Sequence, residues 1–346
     1  MINNVHILNI KANNNNEVLG NRQSNEISKT SIFSNADTLN LTDECNENYL
    51  IRRIRSKRTS DGKISKVKQN TRLGDCWFLT QMNMLSNDII GENILKNSIR
   101  KVQDSYIVDF FGVNKSYVVT AQDIKNTLTS KGDIDAKILE VAMRKYLEEI
   151  LKEENNCGAI AGDNKHTKNY QYYFAENQDV MNGGWCAGVE KSLVYVLTGK
   201  KGVSINNPKN DNLNHPNDPS TSINGNKNLI LNLLDNMYPE TQDMTNGKMM
   251  CVAFEDNLND SENSEFFFSS GNYLANNHAY TVLGVVRKPH SDEIKAVQLL
   301  NPANNTRVQY IDIEDFINRY GQIGIYDMNS TDSQLHSKIN QIAHYN

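Results

Sequence analysis

The chain has 346 residues, 36 Lys and Arg against 41 Asp and Glu, a net charge of −5 and 38% hydrophobic residues. That is enough for about one to three domains with a real core, but no apolar run approaches the roughly 20 residues needed to cross a bilayer. The sequence opens without the basic and apolar segments of a signal peptide, and its mild acidity argues against nucleic acid as a partner.

In chain order, residues 1–48 are Asn-rich, with Asn13-Asn14-Asn15-Asn16, and lack apolar periodicity. They read as a mobile arm that buries too little apolar surface to offset its ordering entropy. The basic run from Arg52 to Arg58 reads as a solvated surface. Residues 76–85 (CWFLTQMNML) form an apolar helical run behind Leu73-Gly74-Asp75, and Gly and Asp suit the turn that opens a helix. Residues 105–111 and 116–120 alternate and are rich in β-branched and aromatic side chains, which predicts a hairpin. Helical spacing of Ile138, Leu139, Val141, Ala142, Tyr146, Ile150 and Leu151 predicts a helix over 133–152. Residues 191–197 close this first half.

An Asn- and Pro-rich stretch over 205–228 reads as a long loop or connection. Beyond it come a short helix over 229–237 and strands over 249–254, 278–286, 296–300 and 307–311. A helix over 314–320 and a strand over 324–327 complete the pattern. The expected organisation is an arm (1–48), a Cys-bearing part (49–202), a linker or insertion (203–228), a β-rich part (229–328) and a tail (329–346). The fold class is α+β, with a cleft between a largely helical half and a largely β half.

Five cysteines, at 45, 76, 157, 186 and 251, are odd in number and form no CxxC pair. This argues against a disulfide framework or zinc site and for a reducing, cytoplasmic setting. Cys76 stands at the first turn of a helix, where the positive end of the dipole favours thiolate, the nucleophilic form. A free Cys is more often an ordinary buried residue; its place behind a Gly-Asp turn sets this one apart. Most histidines lie in polar, loop-like contexts, but His278 opens an apolar strand and can serve a thiolate as base and counter-ion. Asn301, closing the strand over 296–300, is placed to orient the imidazole. Each residue has a bland structural reading on its own; as a set they describe a Cys-His-Asn triad.

Leu73-Gly74-Asp75-Cys76-Trp77-Phe78-Leu79, His278-Ala279-Tyr280-Thr281-Val282 and Leu300-Asn301-Pro302 together resemble, in order, the nucleophile, histidine and asparagine blocks of the calpain family of cysteine endopeptidases. Ile138-Leu139-Glu140-Val141-Ala142, Gly183-Gly184 with Thr198-Gly199, and Ile313-Glu314-Asp315-Phe316 resemble supporting stretches, so the likeness covers residues 66–328. It implies a papain-like fold with a helical Cys subdomain and a β-rich His/Asn subdomain. The implied activity is hydrolysis of peptide bonds in protein substrates through a covalent acyl-enzyme on Cys76.

The sequence departs from the family at several points. The glutamine that holds the oxyanion normally stands six residues before the cysteine; here that position is Asn70, and Gln69 lies one residue further away. A one-residue bulge lets Gln69 serve, and its extra methylene favours it. The tryptophan that shields the His–Asn bond is Ala303. Acidic calcium positions fall on Lys66 or Val67, Thr306 and Val308, so no cofactor, calcium included, is expected. The acidic loop over 255–262 lacks the spacing and central Gly of an EF-hand. Two other readings use the same residues: an amine acyltransferase of transglutaminase type, and a catalytically weak binding module on the same fold.

Overall fold

The computed structural model describes residues 57–58, 62, 64, 66–156, 179–181, 187–188, 192–209, 222–239, 246–254, 265–267, 273–275, 278–306 and 308–344. The expected arm over 1–48, most of the basic run and the acidic loop over 255–262 lie outside them.

Strands β1 (Lys57–Arg58) and β2 (Val67–Lys68) lead into helix α1 (Cys76–Ser86). Every residue of α1 from Trp77 to Leu85 is buried, so it is a core helix rather than an amphipathic surface one. Helix α2 (Ile89–Ser98) follows at once, capped by the Asp88 carboxylate, which accepts from the Gly91 amide at 2.7 Å. Gly91 permits the tight approach of the two helices, because a Cβ there would meet the Leu85 carbonyl oxygen at 2.3 Å. Strands β3 (Ile99–Val102), β4 (Ser105–Phe110) and β5 (Lys115–Thr120) pair antiparallel, with Val108 opposite Ile99 on one side and Tyr117 on the other. The hairpin expected over 105–120 is β4–β5, turned by Asn114 in the left-handed region (φ 53°).

Helix α3 (Ala121–Asn126) carries a reciprocal capping box between Thr120 and Asp123. Strand β6 (Lys131–Gly132) pairs with β2, and α4 (Ile134–Asn156) packs on the first core through Ile138, Leu139, Ala142, Tyr146 and Leu147. Helix α5 (Leu193–Thr198) is capped by Ser192 and stopped by Gly199 at φ 78°.

The second part is built on β7 (Val203–Asn206), β8 (Ser222–Asn224), α6 (Lys227–Met237), β9 (Lys248–Phe254), β10 (Glu265–Phe267), β11 (Tyr273–Ala275), β12 (His278–Arg287), β13 (Ile294–Leu300), β14 (Val308–Asp312), α7 (Ile313–Arg319), β15 (Tyr320–Asp327) and α8 (Asp332–His344). Among the described residues one seven-stranded sheet runs β14-β13-β12-β9-β15-β7-β8, antiparallel except for the β7–β8 pair at one edge. Two residues of the stretch expected as a linker, Ile205 and Ile223, are thus paired within this sheet and buried in its core. Residues 332–344 of the expected tail form α8, whose Leu335 and Ile339 bury against the same core.

Strand β12 separates the two cores. Ala279 joins Trp77 and Phe78 in the first, whereas Tyr280 and Val282 face Phe254 and Phe316 in the second. Burial on both faces is why this strand reads as a continuous apolar run. The arrangement is mixed, a helical part against a large mixed sheet, compatible with the α+β expectation.

Candidate active site

His278 is the first residue of β12, and the β12–β13 register sets Thr281 opposite Leu300, so Asn301 follows directly beyond the end of β13. His278 Nε2 lies 2.9 Å from Asn301 Oδ1. The Ala303 amide donates to the same oxygen at 2.8 Å, which fixes the Asn301 side chain with its carbonyl toward the ring. A carbonyl only accepts, so Nε2 carries the proton in this pair and Nδ1 keeps its lone pair in the neutral ring. Tyr280 stacks edge-on against the imidazole, with centroids 4.9 Å apart. Burial lowers the pKa of His278, and the bond to Asn301 acts in the opposite direction.

Cys76 is the first residue of α1 and is partly exposed, whereas the Trp77 ring behind it is buried. Trp77 Nε1 donates to the Met181 carbonyl at 3.0 Å, pinning the turn that follows the thiol. The backbone carbonyl of Asp75 accepts from the amides of Phe78 and Leu79, so the helix begins at the cysteine itself.

Three connections fix α1 against the His-bearing sheet. Thr281 Oγ1 donates to the Thr80 carbonyl at 2.8 Å, in the middle of the helix. Toward the helix C-terminus, Asn305 Nδ2 donates to Asn83 Oδ1 at 2.9 Å. Ahead of the helix, the Gln69 amide donates to the Pro302 carbonyl at 3.0 Å, and Gln69 Nε2 donates to the Leu73 carbonyl at 2.8 Å. The chain carrying Asn301-Pro302 therefore meets the chain that delivers Cys76 at the N-terminal end of α1. Cys76 lies one helical turn, about 6 Å, from Thr80, and His278 lies three strand residues, about 10 Å, from Thr281.

Gln69 and Asn70 differ in what their side chains do. Asn70 Oδ1 accepts from the Arg72 amide at 3.1 Å, and its Nδ2 donates to the Thr129 carbonyl at 3.3 Å, so this amide closes its own turn. The Gln69 side-chain amide is engaged as well, with Nε2 donating to the Leu73 carbonyl; what sets Gln69 apart is its backbone bond to Pro302, which places it between the Asn-Pro turn and the residues leading to Cys76. Ala303 contributes its backbone amide, and the aromatic ring against His278 is Tyr280.

Sequence reasoning missed a buried acid pair next to Cys76. Asp75, directly before Cys76, and Glu140 on α4 are both buried. Burial raises both carboxyls, Glu140 well above the ordinary range because the Asp75 carboxylate adds to its burial. The Ser130 amide donates to both Glu140 oxygens, at 2.8 and 3.1 Å, and the Ser130 hydroxyl donates to Oε2. The signal was present: Ala136, Glu140, Met143 and Leu147 fall on one helical stripe, and a carboxylate within an apolar stripe marks a buried ionisable group.

The positions matched to calcium ligands hold an exposed Lys66, a buried Val67, Thr306 turned back on Asn304, and an exposed Val308. Among the described residues no group of three or more His, Cys, Asp or Glu is placed to hold a metal ion, and no helix is long and apolar enough to cross a membrane.

The chain matches no family model and no curated protein. Its functional reading therefore rests on its own residues.

Proposed function

We propose that this chain is a cysteine endopeptidase of calpain type, built on a papain-like fold. The helical part would be the Cys subdomain and the seven-stranded sheet the His/Asn subdomain. The observation that carries the reading is the bond from His278 Nε2 to Asn301 Oδ1 at 2.9 Å, with the acceptor amide fixed by Ala303. It leaves Nδ1 as the basic atom of the ring, on a strand tied through Thr281 to the helix that Cys76 opens.

In this reading Nδ1 takes the thiol proton, and the Cys76 thiolate adds to the carbonyl carbon of the scissile peptide. The resulting oxyanion accepts from the Cys76 backbone N–H and the Gln69 side chain, an interaction worth on the order of 3 kcal/mol per donor. Imidazolium then returns the proton to the leaving amine, giving a thioester on Cys76 and a free amino terminus. A water molecule, deprotonated by the same Nδ1, hydrolyses the thioester and releases the carboxylate product and the thiol. Asn301 holds the ring plane and the Nε2–H tautomer throughout.

The test is incubation of an unfolded protein with wild type and with Cys76→Ala. Cleavage by wild type and none by the variant, at an unchanged melting temperature, is expected. Equal cleavage by both would overturn the assignment.

A further inference from the structure

Asn305 has a buried side chain whose bonds run to residues 222, 238 and 241 positions away in the chain. Its Oδ1 accepts from the Val67 amide at 2.6 Å. Its Nδ2 donates to the Ile64 carbonyl at 3.1 Å and to Asn83 Oδ1 at 2.9 Å, and its backbone amide donates to the Val67 carbonyl at 3.1 Å. One side chain thus joins three pieces: the β2 segment that leads to Gln69, the helix that begins with Cys76, and the turn that begins with Asn301.

The turn is short and internally bonded. The Asn304 amide donates to the Asn301 carbonyl at 3.0 Å, so a shift of Asn305 is carried to Asn301 and through it to His278. On the other side, Val67 is two residues from Gln69, and Val67 also pairs with Gly132 of β6. An Asn amide suits the position because a single planar group supplies an acceptor to a backbone N–H and two donors to oxygens. A side chain without those functions leaves the Val67 N–H and the Ile64 carbonyl buried without these partners, which is costly.

We propose that Asn305 is a positioning residue that sets the distance and orientation between the Cys76–Gln69 side and the His278–Asn301 side of the site. The proposal rests on the peptidase reading above. Asn305 touches no reacting atom; it acts by keeping two parts of the chain in one register. Removing it should leave both cores folded but loosen the turn that carries Asn301 against the segment that leads to Gln69 and Cys76.

The experiment compares full-length wild type, Asn305→Ala and Asn83→Ala, the last removing one bond of the set. Thermal unfolding and circular dichroism establish folding. The rate of Cys76 alkylation by iodoacetamide is then followed against pH, together with kcat and KM on a peptide substrate. Wild-type Cys76 should alkylate fast well below the pH at which a free thiol does, the signature of a thiolate paired with imidazolium. Misplacing a reacting group by about 1 Å costs up to about a hundredfold, so kcat should fall on the order of tenfold or more in Asn305→Ala while KM changes less. The acid-side alkylation should fall with it, and Asn83→Ala should show a smaller loss in the same direction. An unchanged alkylation profile and kcat in folded Asn305→Ala would overturn the proposal; if that variant does not fold, an unchanged profile in Asn83→Ala decides against it. A wild-type Cys76 that reacts like any free thiol would instead sink the peptidase reading, an outcome separate from failure of the positioning role of Asn305.

Discussion

Asn301 acts on His278 from a single atom. Its Oδ1 accepts from both the imidazole and the Ala303 amide, so the side chain is oriented by backbone that does not titrate. On the proposed peptidase reading, His278→Ala removes the base and should abolish turnover nearly as fully as loss of Cys76, because parts of one catalytic unit are not additive. Asn301→Ala removes only the orienting bond and should cost less; the two kcat values measured side by side check the order. Gln69 and Asn70 make a second residue-scale comparison. Both side-chain amides are engaged, Asn70 with Arg72 and Thr129 and Gln69 with Leu73, but only Gln69 also has its backbone tied to Pro302. Gln69→Ala should lower kcat by about a hundredfold to a thousandfold, the usual cost of one oxyanion donor. Asn70→Ala should act mainly on stability, by loosening its turn. A large loss of kcat confined to Asn70→Ala would reverse the assignment.

At the scale of elements, the residue that precedes α1 and a residue of α4 each bury a carboxyl. Asp75 and Glu140 are raised by burial, Glu140 well above the usual value because of Asp75 beside it. A group whose pKa is higher in the folded state binds its proton more tightly there. Its contribution to stability is therefore fully present below the unfolded value and is lost as pH rises through the folded value. The Asp75–Glu140 pair should make the protein lose stability as pH climbs above the carboxylate range. Glu140→Gln keeps an acceptor for the Ser130 amide and removes one titrating group. Its melting temperature should fall less over that rise than the wild type's, as measured by thermal unfolding across a pH series. Parallel curves would show that Glu140 binds its proton equally tightly in the folded and unfolded states. His278 pulls the other way: its lowered pKa gives stability present above the unfolded value and lost as pH falls through the folded one. The two effects slope in opposite directions with pH and can be separated in His278→Gln.

At the scale of the whole unit, α1 is aligned with the seven-stranded sheet by the packing of Trp77 and Phe78 with Ala279 and by hydrogen bonds that include Thr80–Thr281, Gln69–Pro302 and those of Asn305. A hard cation needs about six to eight oxygen ligands, and the matched positions offer Lys66, Val67, Thr306 and Val308, with no carboxylate among them. Activity should persist in a calcium-specific chelator; activity that disappears there and returns with micromolar calcium would show that the ligands lie elsewhere, the acidic loop over 255–262 being the first place to look.

Much of this was legible in the chain. Apolar spacing marked α1, α4 and the β4–β5 hairpin, and alternation or continuous apolar runs marked β9, β12 and β13, because these patterns are local and repeat every turn or every second residue. Short or polar elements were not: β3 carries Arg100 and Lys101, β8 is three residues inside an Asn-rich stretch, and α8 shows its stripe only at Leu335, Ile339 and Ile342. The sequence by itself determined that a cysteine opens a helix, a histidine opens a strand and an asparagine closes the next one. Only the tertiary structure decided which way the Asn301 amide points, that Glu140 lies beneath Asp75, and that Asn305 joins Ile64, Val67 and Asn83. Those facts depend on hydrogen bonds between residues far apart in the chain, and neither periodicity nor propensity carries information over such separations.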